Sequence, residues 1–471
     1  MKRGRAGYGW GAALVAGALL RLLFYHLRPS VAGDALMYGD LAHNMLAHHV
    51  YGFSGKMIQP TLIRLPGYPL FLAGCFAVFG GMNYAAVIWV QMVVDLLGCT
   101  LLGVLAERLA GRRAGLIAVW LAALCPFTAN YAVVLLAESL SVFCVVVALF
   151  SLERWEAGWR AGGRLGLRSG SGCWVVVIGC ALSGAVLLRP DQGLLAAAIL
   201  PAMLWIGLRR RGLGLVARMA PAVVALLLVG LPLMVWTARN WRVFHVIQPL
   251  APRYANDPDE TVPLGFQRWF RTWAIDYKAT VDIYWSYDDT RMSVGDLPPR
   301  AFDNAQQMEQ TRAVFARYNK VASATPGFDA AFAQIAVERI ADHPLRYYVA
   351  LPVARAVDMW LRPRLELTTM PVDWWMVGEH PGKSAEEIAY ALLNAAYLAL
   401  AMMGAWRWRR CGWGGREVVA LVMLGFVALR CALLLTLDNS EPRYTLECFP
   451  VVILLGSFAM IRARSDQQPT D

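Results

Sequence analysis

The feature that most constrains this chain is a series of apolar runs, each about as long as a bilayer is thick, separated by clusters of arginine. A hydrocarbon core of about 30 Å takes roughly 20 residues of helix. Runs of that order lie at residues 8–27, 84–106, 114–132, 139–152, 172–188, 192–208, 219–237, 385–406, 417–437 and 444–461. Composition agrees with this reading, because 58% of the 471 residues are hydrophobic and only 16% are charged, against about 25% charged in soluble domains. The expected fold is an all-α polytopic membrane protein with about ten transmembrane helices.

The arginine clusters orient these spans. They comprise Lys2, Arg3 and Arg5; Arg108, Arg112 and Arg113; Arg154, Arg160, Arg164 and Arg168; Arg209, Arg210 and Arg211; and Arg407, Arg409, Arg410 and Arg416. Basic residues beside membrane spans favour the cytoplasmic side. All the clusters fall there only if residues 66–81 and 345–361 do not cross, so both segments read as interfacial or re-entrant helices. Both termini are then cytoplasmic. The first span lacks a small-x-small cleavage site and reads as a retained anchor. Residues 28–83, 238–384 and 438–443 face outward. The net charge of +11 belongs to the cytoplasmic loops rather than to one basic soluble face, so no nucleic-acid partner is expected. Every cysteine except Cys411 lies in an apolar segment, which implies no disulfide framework.

Three regions follow: an N-terminal transmembrane module at 1–237, an outer loop domain at 238–384, and C-terminal transmembrane helices with a short tail at 385–471. In the outer domain, 302–320 and 328–342 read as helices. The second has Phe328, Phe332, Ile335 and Ile340 along one stripe and His343-Pro344 as its stop. The aromatic stretch RWFRTWAIDYKATVDIYWSYDD suits either a sugar or lipid-acceptor groove or an interfacial aromatic belt.

Polar residues gather at the outward ends of the spans. Asp34, Tyr38 and Leu41 share one helix face at i, i+4 and i+7, and Asp34 also reads as a helix N-cap. Arg64, in IRLPGYPLFL, precedes an apolar segment broken by Pro66, Gly67 and Pro69. It suits a lipid phosphate, and equally a snorkelling anchor. Glu138 sits among apolar neighbours, where a mid-span acid costs about 2.5–3.5 kcal/mol unless paired or functional. Asp95 and Arg21 read as a buried structural pair. RPDQG supplies Arg189 and Asp191, WTARNW supplies Arg239 and Asn240, and DNSEPRYTLECFP places Glu441, Arg443 and Tyr444 in a tight outer turn.

An Asp after the first helix, a Pro-rich Arg segment, RPD, W-x-x-RN and a late E-x-RY-x-x-x-x-P together resemble the GT-C superfamily of polytopic glycosyltransferases. The chain is similar in particular to bacterial relatives of protein O-mannosyltransferases and of the lipid A aminoarabinose transferase. The similarity runs from about residue 8 to 461. It implies an inverting transferase in the bacterial inner membrane, taking a hexosyl or pentosyl group from a polyprenyl-phosphate sugar to a lipid, glycan or protein hydroxyl at the periplasmic face. On this resemblance Asp34 and Glu138 are the catalytic acids, and Arg64, Arg443 and Arg239 hold the lipid phosphate. Tyr38, Arg189, Glu441 and Tyr444 line the substrate. Two positions depart from the family pattern: Asp34 is followed by Ala35 rather than a second acid, and the second-loop acid is Glu138 rather than Asp.

The physical requirement is independent of the name, and it casts Asp34 as base with Arg64 and Arg443 as clamp. A glycosyl phosphate has a good leaving group, so transfer needs a base for the acceptor hydroxyl and positive charge on the departing phosphate. His43, His48 and His49 do not place three ligands on one helix face, so no metal or other cofactor is expected. A non-enzymatic lipid or solute transporter is the rival reading, but transporters gather their polar residues near the midplane. A surface-polysaccharide polymerase or ligase uses similar chemistry with another donor.

Overall fold

In a computed structural model, residues 2–27, 31, 33–162, 170–258, 260–368, 370–378 and 381–460 are described. Arg164, Arg168, the tail beyond residue 460 and the side chains of Lys2, Arg3 and Arg5 lie outside the described residues. The architecture is helical. In chain order the helices are α1 (Lys2–Leu27), α2 (Asp34–His48), α3 (Gly67–Phe79), α4 (Tyr84–Ala110), α5 (Arg112–Ala123), α6 (Pro126–Tyr131), α7 (Glu138–Arg160), α8 (Gly170–Leu188) and α9 (Gly193–Arg209). They continue as α10 (Leu215–Phe244), α11 (Leu264–Arg271), the single turn α12 (Tyr277–Ala279), α13 (Ala305–Tyr318), α14 (Pro326–Asp342), α15 (Leu351–Leu361), α16 (Pro381–Arg410), α17 (Glu417–Leu434) and α18 (Phe449–Ser457). Between α2 and α3 a two-residue hairpin pairs β1 (Gly52–Phe53) with β2 (Gln59–Pro60), Gly52 opposite Pro60.

Among the described residues eight helices are long and apolar enough to cross a membrane: Gly7–Leu27, Tyr84–Ala110, Ser171–Leu188, Pro190–Arg209, Leu215–Phe244, Pro381–Arg410, Glu417–Leu434 and Pro442–Met460. The other two apolar runs have a different form. Residues 114–132 break into α5 and α6, because Pro126 drives Cys125 into an extended conformation (ψ 107°). The run at 139–152 is the first half of α7, which is 23 residues long but carries Glu153, Arg154, Glu156 and Arg160 in its second half. α3 has 13 residues, about 20 Å of helix and well short of a crossing.

The chain divides into two compact units. The first is Met1–Asp259, Ala396–Ala428 and Leu446–Asp471. Inside it Arg21 and Asp95 form the expected buried pair, Nε donating to Oδ2 at 2.6 Å, and Arg21 Nη1 also donates to the carbonyls of Gly17 and Ala123 at 2.8 Å. These bonds satisfy a charge that would otherwise be prohibitive among apolar helices.

The second unit is Glu260–Ala395 and Leu429–Thr445. Here α13 and α14 form where helices are expected, each started by a side-chain cap: Asn304 accepts from Gln307 N, and Thr325 from Phe328 N. The aromatic stretch is neither a groove nor a belt, with Trp285 the exposed exception. Phe266, Trp269, Phe270 and Trp273 are buried against Phe315, Phe332 and Ile335, and Phe266 stacks on Tyr287 at 3.8 Å. A domain with short helices lacks long apolar faces, and these large rings supply the buried area instead. Arg339 ties this core together, donating to Thr272 Oγ1 at 2.9 Å and Gln307 Oε1 at 2.7 Å.

Candidate active site

Two arginine–carboxylate arrangements lie in the first unit. The first joins α2 to the loop before α3. Gly33 turns into α2 with φ 55° and ψ −129°, a conformation suited to glycine. Gly33 thereby takes the N-cap position, and Asp34 falls one residue later in the first helical turn. The N-cap reading of Asp34 is therefore corrected, although its charge still faces the positive end of the helix dipole. Arg64 Nη2 donates to Asp34 Oδ1 at 3.1 Å, with the two side chains 25% and 28% exposed. Both groups reach solvent while touching each other.

The backbone under Arg64 is held from several directions. Tyr51 Oη donates to the carbonyl of Arg64 at 3.0 Å, and Asp257 Oδ1 accepts from Leu62 N at 2.9 Å. Burial pushes the Tyr51 phenol well above its ordinary range, reinforced by Tyr38 and opposed by Arg239 and Arg64, so it stays a donor. Arg239, at the end of α10, donates to the carbonyls of Tyr51 at 2.7 Å and Thr61 at 2.8 Å. Its guanidinium also lies about 5 Å over the rings of Tyr51, Trp236 and Phe244. Arg239 thus clamps the loop that presents Arg64.

The second arrangement is a hub around Arg189. Its Nη1 donates to Glu138 Oε1 at 2.6 Å, its Nε and Nη2 to Asp191 at 3.2 Å, and its Nε lies 3.1 Å from Glu447 Oε1. Glu138 and Glu447 are almost wholly enclosed. Three carboxylates from the start of α7, the α8–α9 connection and the segment before α18 therefore converge on one cation.

Packing links the two arrangements. Tyr38 of α2 meets Tyr68 of α3 edge-on at 5.0 Å, and Tyr68 Oη donates to Gln91 Oε1 at 2.6 Å. Gln91 in turn donates from Nε2 to the carbonyl of Val134 at 2.8 Å, in the turn leading to Glu138. The start of α3 presses on the end of α8, where a Cβ on Gly67 would stand 2.5 Å from the Leu187 carbonyl, two residues before Arg189. Only glycine permits that approach.

Glu441, Arg443 and Tyr444 lie in the second unit. Arg443 pairs with Glu441, which also accepts from Tyr444 Oη and Asn439 Nδ2, each at 2.9 Å. Arg430 Nη2 donates to the Tyr444 carbonyl at 2.6 Å, and Arg364 Nη1 to that of Pro442 at 2.8 Å. The turn is braced before it meets any ligand.

Glu447, Tyr51 and Asp40 escaped sequence reasoning. Glu447 carries the signal that singled out Glu138, a carboxylate at the edge of an apolar run, in LECFPVVILL. Asp40 accepts from Ser54 N at 2.7 Å and Ser54 Oγ at 2.5 Å, holding the hairpin to α2.

Comparison with known proteins places this geometry in context. Residues 60–236 match the family model of dolichyl-phosphate-mannose-protein mannosyltransferase, a stretch that includes Arg64, Glu138 and Arg189 but neither Asp34 nor Arg239. No match is found among curated proteins. The oligosaccharyltransferase of Archaeoglobus fulgidus tethered with an acceptor peptide has a similar fold, with TM-score 0.50 and 14% identity over 96% of this chain and 49% of that one. ArnT from Cupriavidus metallidurans bound to undecaprenyl phosphate aligns at TM-score 0.36 and 17% identity, over 96% of this chain and 78% of that one. The chain spans about half the length of the archaeal oligosaccharyltransferases it matches. The chain shares its fold with the archaeal oligosaccharyltransferase, and the protein is a multi-pass membrane protein.

Proposed function

We propose that this protein is an inverting glycosyltransferase that moves a sugar from a polyprenyl-phosphate donor to an acceptor hydroxyl at the periplasmic face of the inner membrane. The observation that carries the reading is the half-open Asp34–Arg64 pair, beside an arginine hub inside the stretch matched by the mannosyltransferase family. The arginine clusters at the opposite helix ends support a cytoplasmic location for both termini.

In this reading Asp34 takes the proton of the acceptor hydroxyl as its oxygen attacks the anomeric carbon. The bond from that carbon to the phosphate oxygen breaks, and the leaving group departs as the polyprenyl phosphate with its electron pair. Arg64 neutralises the charge that grows on the phosphate. In the free protein the same guanidinium contacts Asp34, so the base and the phosphate-binding cation stand side by side. Glu138 acts through Arg189, holding its guanidinium toward the substrate side. Arg239 secures the loop carrying Arg64, and Tyr38 lines the sugar pocket next to Asp34. A base supplies about 10²- to 10⁴-fold in rate.

The test is transfer or hydrolysis from radiolabelled polyprenyl-phosphate sugars by the purified protein in lipid. Wild type turns over at least one donor, while Asp34→Asn and Arg64→Ala do not. Full turnover by an Asp34→Asn protein of normal abundance would overturn the assignment.

A further inference from the structure

The second unit holds a buried cation whose own fold uses only part of it. Arg355, on α15, is 1% exposed. Its Nη1 donates to the carbonyls of Ala274 at 2.9 Å and Arg271 at 3.3 Å, closing the turn that ends α11. That capping role occupies one of three guanidinium nitrogens. Nε and Nη2 are buried without a hydrogen-bond partner, and Arg355 makes no ion pair among the described residues. These two nitrogens form the edge of a guanidinium whose parallel N–H groups take an oxyanion in a two-bond fork. Charged donors left buried and unpaired are costly, and capping two carbonyls needs no charge.

The neighbours of this edge define its ligand. Arg271 Nη1 pairs with Asp438 at 3.2 Å, its guanidinium lies 5.3 Å from the centre of the Tyr347 ring, and its Nε is a third buried donor without a partner. Burial and the Arg271 charge push the Arg355 pKa down to about 10, against the opposing charges of Asp438 and Tyr347. A further negative group is therefore favoured here. Three donors from two guanidiniums suit a tetrahedral oxyanion, which offers a separate oxygen to each; a planar carboxylate has two.

Access follows from the same residues. Arg355, Asp438 and Tyr347 are buried, whereas the Arg271 side chain is 25% exposed, so the route from solvent runs along Arg271. Its stack on Tyr347 is a weak contact at a part-exposed position, and the side chain can swing aside to admit an anion and close over it. None of these four residues enters the glycosyl-transfer reading.

We propose that Arg355 and Arg271 form a binding site for a phosphate group, Arg355 donating from Nε and Nη2 and Arg271 from Nε. The experiment is equilibrium dialysis of radiolabelled inorganic phosphate against the purified full chain in neutral detergent. It is run in an Arg64→Ala background, which removes the phosphate contact assigned to transfer, so that failure of the transfer reading leaves the result unaffected. The Arg64→Ala protein should bind phosphate at least about tenfold more tightly than the same protein carrying Arg355→Lys, which keeps the charge but loses the fork. Arg271→Gln should weaken binding several-fold; its side chain is part-exposed, and it carries the test should Arg355→Lys fail to fold. Undiminished binding by both variants would overturn the proposal, as would no binding by the Arg64→Ala protein. So would displacement of phosphate by an equal concentration of acetate, which would identify a carboxylate site. Displacement by phosphatidylglycerol at equal concentration supports the site with a lipid headgroup as its ligand, and retention against it supports the site with a water-soluble phosphate.

Discussion

The Asp34–Arg64 pair and the Arg189 hub use the same two kinds of side chain and differ in access to water. Arg64 contacts Asp34 and is 25% exposed; Arg189 is 14% exposed and contacts Glu138, Asp191 and Glu447. A part-exposed pair contributes about 0–1 kcal/mol to stability, so its partners can exchange a contact for a ligand at small cost. Removing one partner of a buried arrangement leaves uncompensated charge and costs about 3–5 kcal/mol. Under the proposed function, chemistry falls to the open pair and positioning to the enclosed hub.

The sharpest way to break that division is Arg189→Ala, which strands three carboxylates. We expect loss of about 3–5 kcal/mol of stability, read as a strongly lowered unfolding midpoint in detergent. A midpoint equal to wild type would remove the hub from its structural role. Asp34→Asn should do the reverse, cutting turnover about 10²- to 10⁴-fold while moving stability by no more than about 1 kcal/mol. Paired kinetic and thermal measurements on that variant test both halves at once. For Gly67→Ala, the added methyl meets the Leu187 carbonyl and pushes α3 from α8. The expected result is an activity loss of about tenfold with destabilisation of about 1–3 kcal/mol, and unchanged values would disconnect the two arrangements.

The smallest effect concerns a third arrangement, in the second unit. Burial raises the Asp303 pKa, but hydrogen bonds from Arg346 and the charges of Arg339 and Arg346 outweigh it, leaving the carboxyl below its usual range. A depressed carboxylate contributes stability above its unfolded pKa and loses that contribution as pH falls through the lower folded value. Asp303→Asn should therefore flatten the acid limb of unfolding below about pH 4. An unaltered acid limb would show that Asp303 contributes no such linkage.

Much of the fold was legible because its signals are local. Apolar length announced α4, α8, α9, α10 and α17, and Pro-Gly-Pro chemistry announced that the segment holding α3 is not a full span. The pairing of Arg21 with Asp95 was legible too, since two charges in neighbouring apolar helices have few other partners. The aromatic stretch at 268–289 misled because a ring that is buried and a ring that lines a groove look alike in sequence. Glu447 went unnoticed beside the more prominent Glu441, Arg443 and Tyr444.

The sequence by itself determined that this chain spans a membrane many times, with clusters of arginine between its apolar segments. Those properties follow from hydropathy and charge read within single segments. Only the tertiary structure decided which carboxylates share Arg189, that Gly33 rather than Asp34 takes the cap of α2, and that Asp34 and Arg64 face each other. These facts depend on residues distant in sequence or on a backbone turn, and the energy of a charge is set by what surrounds it in space.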